Sequence, residues 1–346
     1  MKIVIMVTTL MCLGISACTQ TVRKADVYVA GIETNAQGKK IAILWKNSIE
    51  QRLTDGSNNA EANSVFVAGN DVYVAGFEKS GQQDDFGVKK SVAKLWKNGV
   101  VQSISDGSTN VEIYSVFVTG NDVYVAGDEF TEQGPVATLW KNGVAQRLSK
   151  RLSNANSVYV AGNDVYAAGD DEVVATLWKN GAAQSLTDGS NNSRAKSVFV
   201  IGNDIYVVGS EDENKSTENE KNLIKLWKNG ETQVLSEGER DFTDVHSVCV
   251  SGNDVYVAGE EYVQGKSIAA LWKNGVVESL SDGKNIAGAY SSVFVSGASS
   301  VFILDNDVYV AGAVEYNATL WKNGVAQTLK SISNNAMATS VFVTKP

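Results

Sequence analysis

A single phrase, LWKN, returns seven times, and its tryptophans at Trp45, Trp96, Trp140, Trp178, Trp227, Trp272 and Trp321 are all the tryptophans the chain has. Successive copies lie 51, 44, 38, 49, 45 and 49 residues apart, a mean of 46. A period of that size fits one four-stranded blade of a propeller. A lone unit cannot bury both of its faces, so the copies must stack on one another.

Each unit reads SVFV, a turn at GND, then DVYVAG, a loop of variable length, ATLWKNG, VAQSL, and a polar loop such as TDGSNNAEAN. Four β-branched and aromatic runs separated by turn residues predict an antiparallel meander, whose strands we call A to D. Asn-Gly in WKNG predicts a type I′ hairpin with positive φ at both central residues, and Gly-Asn in GND is read as the same permissive pair. VFV and VYVAG are almost continuously apolar, as befits sheets covered on both faces. The first complete phrase, at Asp26, is a strand B with no A before it, and Ser340-Val341-Phe342-Val343 is a strand A with no B after it. The fold expected over residues 26–346 is therefore all-β: a seven-bladed β-propeller of four-stranded antiparallel blades, the C-terminal strand completing the first blade and removing open edges. One irregularity is the near-duplication of SSVFVSGA by SSVFILDN at residues 291–306. Ser300 keeps the usual offset to Asp307, so strand A is placed at Val301–Leu304 and the first copy in the preceding loop.

This pattern resembles the β-propeller repeat proteins of bacterial envelopes, particularly lipoproteins built from VYVAG and ATLWKNG phrases. The resemblance spans Asp26 to Pro346 and implies the fold but little about activity. The Trp-Asp ending of WD repeats, the Gly-Gly doublet of kelch repeats and the Asp-box of sialidases are absent. The N-terminus, MKIVIMVTTLMCLGISAC, has one charge at Lys2, an apolar run from Ile3 to Ile15, and small residues before Cys18. That is a secretory signal, too short for an ordinary spanning helix. Ile15-Ser16-Ala17-Cys18 resembles the lipobox of bacterial lipoproteins, which implies cleavage after residue 17, a lipid on Cys18, and a short tether over 18–25. Thr19 is not the aspartate that the lipoprotein family associates with inner-membrane retention, so the resemblance implies the outer membrane. With no acidic run after Cys18, a periplasm-facing position is favoured over a surface-exposed one. Cys249 is then the last free cysteine, and no internal disulfide forms.

The GND and KNG turns hardly vary and share one face of the ring. The B–C loops, from DDEVV at 170–174 to SEDENKSTENEKN at 210–222, lie with the D–A loops on the other. That variable face is the candidate binding surface, since binding residues gather on loops held by a rigid scaffold. An acid recurs just past strand B at Glu33, Glu78, Glu129, Asp171, Glu211 and Glu261, with Glu315 one place late. These seven are expected to ring the central channel, either as a site for a cationic ligand or as repeat carboxylates that cap loops and pair within blades. The lysines of LWKN are expected to face the aspartate that opens strand B, as exposed cross-strand pairs. The tryptophans are read as packing between sheets rather than sugar platforms. Phe77, Phe86, Phe130 and Tyr262 are the aromatics offered to a glycan or peptide. His246 and Cys249 read as tolerated substitutions, the histidine in a loop and the cysteine as a small core hydrophobe.

Acidic residues outnumber basic ones 39 to 30, giving a charge of −9. That argues against nucleic acid, which needs a basic surface. One histidine, no Gly-x-Ser-x-Gly and no paired cysteines leave no catalytic triad and no zinc site, so no catalytic residue, metal site or cofactor is assigned. A divalent cation on the acidic ring is the one cofactor left open. The sequence reading is a non-enzymatic scaffold that binds an unknown protein or glycan through its variable face and the membrane through Cys18. A glycan hydrolase or lyase using two of the acids is the alternative.

Overall fold

The computed structural model describes residues 24–83, 89–105, 107–213, 221–239, 243–263, 266–282, 284–285, 296–333 and 335–345. Cys18 and the apolar leader lie outside the described residues, as does Phe86.

The phrases fold as seven antiparallel sheets, each ordered A-B-C-D. In blade 2 these are Ala60–Ala68, Asp71–Gln83, Lys89–Lys97 and Val100–Ser103. Strand A of blade 1 is Ala336–Thr344, which pairs with Asp26–Thr34, so the C-terminal strand closes the ring on the first blade. Strand A is longer than the SVFV phrase: it also takes in residues read as the end of the polar loop, such as Ala60 to Asn63. In blade 7 it runs over Ser296–Leu304, with Leu304 opposite Asp307, so the second copy of the duplication holds the strand register and the end of the first copy is drawn into the same strand.

Turn chemistry sets the hairpins. At the C–D turns both central residues have positive φ, as at Asn98 (51°) and Gly99 (79°). At the A–B turns only the first does: Gly69 has φ 59° and Asn70 does not. GND is thus not a copy of the KNG turn. It has the pattern of a type II′ turn, which requires glycine at its first central position alone.

Each seam between blades holds its own apolar core. Between blades 1 and 2, Tyr28, Ala30, Ala42 and Leu44 pack on Ala60, Ala62, Val65, Val67, Val74 and Trp96. The seven tryptophans are 0–3 % exposed, each inserted against the preceding blade, which removes them as sugar platforms. A closed hydrogen-bond ring joins the seams. The serine of each SVFV accepts the backbone N–H of a valine in the next blade, from Ser64 with Val116 through Ser300 with Val341 to Ser340 with Val65, at 3.1–3.3 Å. On the constant face every blade repeats one unit. As expected, the LWKN lysine pairs with the aspartate opening strand B (Lys97–Asp71, 2.7 Å); it also lies over the strand B tyrosine (Tyr73), which the sequence reading does not include.

Candidate functional site

Strand A lines the central channel in layers. Deepest is a collar of aromatics from the SVFV phrase, Phe342, Phe66, Phe117, Tyr159 and Phe199, with neighbouring ring centroids 4.7–5.1 Å apart and Phe302 joining at Phe342. Cys249 occupies the blade 6 place in this collar. It is a small core side chain, as the sequence reading has it, and burial pushes its thiol up to about 11, so it stays protonated. The serine layer lies above, and above that the channel opens on the variable face.

The opening is shaped by a β-bulge. In every blade the A–B register slips just before the serine, leaving one unpaired residue: Thr339, Asn63, Tyr114, Asn156, Lys196, His246 and Ser299 in blades 1 to 7. A bulge re-aims the side chain it carries. It is possible because strand B has a glycine opposite. A Cβ on Gly259 would lie 2.2 Å from the Asp244 carbonyl oxygen, and one on Gly76 1.9 Å from that of Glu61. The glycine of VYVAG is thus the repeat's licence for the bulge.

In three blades the bulged side chain ties strand A to the next blade's strand A. Thr339 donates to the Ala62 carbonyl (2.6 Å), Asn63 to Ile113 (2.7 Å) and Asn156 to Ala195 (2.9 Å). Elsewhere the position carries other chemistry. Lys196 pairs with Asp244 (3.2 Å), and His246 Nε2 lies 2.8 Å from Glu260 Oε2. Burial, the largest influence on His246, favours its neutral form. The charges of Glu260 and Asp244 outweigh it and raise the imidazole above its usual range. Asp244 is likewise held below the carboxylate range by Lys196 and His246 against the burial that would raise it. Across the mouth, burial pushes Asp128 up to about 7, although it accepts the Ala155 N–H at 3.0 Å. Burial also raises Asp170, whose Oδ1 has no hydrogen-bond partner among the described residues. The Tyr114 hydroxyl is raised by burial and then by the carboxylates of Asp128 and Glu112.

The acids singled out in the sequence are not brought together. They sit on strand B or the turn after it, one strand out from the channel, and bond away from it. Glu33 (1 % exposed) meets Arg52, Glu78 Lys94, Glu129 Arg147 and Glu211 Lys225, all within their own blades. Asp171 accepts from Ser149 and Glu261 from Ser236, both of the preceding blade's side. Glu315 is in the B–C turn with φ 53°. Among the described residues no three His, Cys, Asp or Glu side chains gather as a metal centre. Phe77, offered above as a surface aromatic, is buried at 6 % exposure, because the position just after the glycine packs inward. His246 is not in a loop: it lies within strand A and faces the channel. The sequence signal for it was available, since the residue before the SVFV serine differs in nearly every copy, but only the bulge shows that this position faces inward.

A cavity of about 480 Å³ opens at the mouth, over blades 7 and 1. Blade 7 supplies only small groups there, Gly297, Ser299 and Ala313, and blade 1 supplies Ile32, Thr34, Met337 and Thr339. Glu61 and Asn63 of blade 2 line one end, with Lys40 bonded to Glu61 at 2.6 Å, and His246 and Glu260 of blade 6 line the other.

No known protein family matches the chain, and no curated protein matches it by sequence. Among solved structures, the Mycobacterium tuberculosis puromycin-hydrolyzing peptidase aligns over 90 % of this chain and 52 % of its own at 8 % identity, with a TM-score of 0.52. The computationally designed protein Ika8 aligns over 89 % of this chain and 87 % of its own, at 17 % identity and a TM-score of 0.45. Trypanosoma rangeli sialidase with sialic acid gives 90 % and 56 %, 10 % identity and 0.40. The chain thus spans about half the length of the two natural proteins, and the likeness concerns the fold alone.

Proposed function

We propose that this chain is a ligand-binding propeller of the bacterial envelope, held at the outer membrane by a lipid on Cys18 and binding through the mouth of its channel on the variable face. The observation that carries this reading is the loss of the repeat in one layer. A position that only closed the ring would keep Asn or Thr, which already tie adjacent A strands. It instead holds six residue types in seven blades, two of which, Lys196 and His246, pair with the carboxylates of Asp244 and Glu260. Strand B of blade 1 starts on the constant face at Asp26, and residues 18–25 extend at most about 26 Å. A lipid at Cys18 would hold that face toward the membrane and leave the mouth pointing away.

The test is a thermal-shift screen of residues 24–346 against divalent ions, glycans and cationic or zwitterionic peptides. A ligand that binds only the folded state at a hundredfold excess over its Kd stabilises by about 2.7 kcal/mol. The shift should vanish in a K196N/H246N double variant, which borrows the residue of blades 2 and 4, and persist in E78Q/E129Q/E261Q. The reverse result would return the site to the strand B acids. The anchor has its own test: Cys18→Ala should move the full-length protein from the membrane to the soluble fraction.

A glycan-cleaving reading draws support from carboxylates shifted in opposite directions, Asp244 down and Asp128 up, as an acid–base pair requires. Asp128 is 1 % exposed and out of a substrate's reach, so binding is the reading we favour.

A further inference from the structure

The most exposed aliphatic side chains are not scattered. Five of the six most exposed large hydrophobics among the described residues hold one place in the repeat, the first residue of strand D: Ile49, Val100, Val144, Val276 and Val325, each 68–73 % exposed. That place follows the C–D turn, so all five stand at one level on the outer rim of the constant face. Each lies in register opposite the LWKN lysine, as Val100 does opposite Lys97, and so shares that lysine's side of the sheet. Packing between blades does not require an aliphatic there, since water covers most of the side chain. The other two copies show as much: blade 4 has Ala182 and blade 5 has Glu231.

The two exceptions are adjacent, which leaves an unbroken aliphatic arc over blades 6, 7, 1, 2 and 3. Blade 1 is its midpoint, and in a ring of seven the blades across from it are 4 and 5. Blade 1 is also where the chain enters. Its strand B begins at Asp26 on the constant face, and the apolar run of residues 3–15 lies just upstream on the chain. Charge does not dominate this rim, because each LWKN lysine is held by the aspartate that opens strand B. A protein partner would need a packed apolar core, whereas these five side chains are set a blade apart and agree only in height. A bilayer suits that arrangement. Side chains at one level enter the boundary between headgroups and acyl chains, and the neighbouring lysine stems reach back toward the headgroups.

From this arrangement, and resting on the lipid anchor proposed above, we propose that the arc from blade 6 to blade 3 docks on the bilayer surface that the anchor enters. The ring then sits tilted, with blade 1 lowest and blades 4 and 5 lifted away. Glu231 belongs to the lifted side, where its charge keeps its water. The anchor alone leaves the ring free to turn about its tether, and the arc fixes which way the mouth points.

Fluorescent labels on single added cysteines test this. Residues 24–346, which carry every strand of the closed ring, are joined through an N-terminal hexahistidine to phosphatidylcholine vesicles containing a nickel-chelating lipid. Cys249 is buried with its thiol protonated, so the added cysteine alone takes the label. A doxyl-bearing lipid should quench labels on Val100→Cys and Val325→Cys and leave those on Ala182→Cys and Glu231→Cys bright. Without the tag, Val100→Glu/Val325→Glu should weaken vesicle binding roughly tenfold or more. Blade 5 already carries glutamate at this place, so the fold should tolerate the change. Added salt should alter the contact little, since the lysines of the rim are paired. Equal quenching at all four positions, quenching at none, an unchanged affinity in the glutamate variant, or release by salt overturns the proposal. Dimers of the untagged protein that Val100→Glu/Val325→Glu dissolves would make the arc an interface between copies and overturn it as well. The tag supplies the tether, so these results stand apart from the Cys18 anchor, which Cys18→Ala decides.

Discussion

The two faces of the ring are built from the same strands and treat the repeat in opposite ways. On the constant face, lysine, aspartate, asparagine and tyrosine form the same bonded unit in all seven blades, with Asn98 of blade 2 also holding Val72 N–H at 2.9 Å. On the variable face, the bulge layer holds threonine, asparagine, tyrosine, lysine, histidine and serine. The constant face is scaffold: each copy solves a hairpin-closing problem that every blade shares. In the bulge layer that structural demand is met by Thr339, Asn63 and Asn156 alone, while Lys196 and His246 pair with carboxylates and His246 and Ser299 line the cavity. Repetition in this molecule marks structure, and departure from it marks the place where we propose that a ligand binds.

That contrast can be broken most forcefully at what both faces depend on. Trp272→Ala should cost about 3–5 kcal/mol in chemical denaturation, because its indole fills the seam between blades 5 and 6. Gly259→Ala should cost about 1–3 kcal/mol, since the new Cβ meets the backbone of Asp244 rather than a side chain that can turn away. It should also displace His246, which a similar change on the constant face would not.

The next tests sharpen the comparison through protonation. Asp128 has its folded pKa raised to about 7 from 3.8, so the folded state holds the extra proton. Its stabilising effect is complete below about 4 and is lost as pH rises toward 7. Asp128→Asn should flatten stability between those limits while keeping an acceptor for the Ala155 N–H. His246 is the chain's one histidine, so its imidazole proton signals need no assignment. They should titrate above 6.5, and lower in Glu260→Gln. Being raised, His246 also contributes stability that is present below 6.5 and lost as pH climbs through the folded value. The smallest effect is expected on the constant face. Asp71→Asn should barely move the midpoint, since an exposed pair contributes little and Lys97 keeps its contact with Tyr73.

The strand B acids show why a site is harder to read than a fold. Their recurrence drew notice as a ring, yet Glu129 spends its charge on Arg147 and Glu78 on Lys94, neighbours that hairpin register already supplies. His246, present once and in no motif, carried no such signal. Glu61 and His246 line one cavity although nearly two hundred residues separate them.

What the sequence determined by itself was much of what depends on neighbours within a blade: four strands per phrase, the C–D turns fixed by asparagine and glycine, lysine opposite aspartate, and a ring closed by the last strand. These follow from short-range backbone preferences and antiparallel register. The tertiary structure alone decided what meets in the channel. Whether Gly259 licenses a bulge depends on the carbonyl of a partner strand, and which bulged side chains share a mouth depends on closing seven blades into a circle. No local pattern encodes either one.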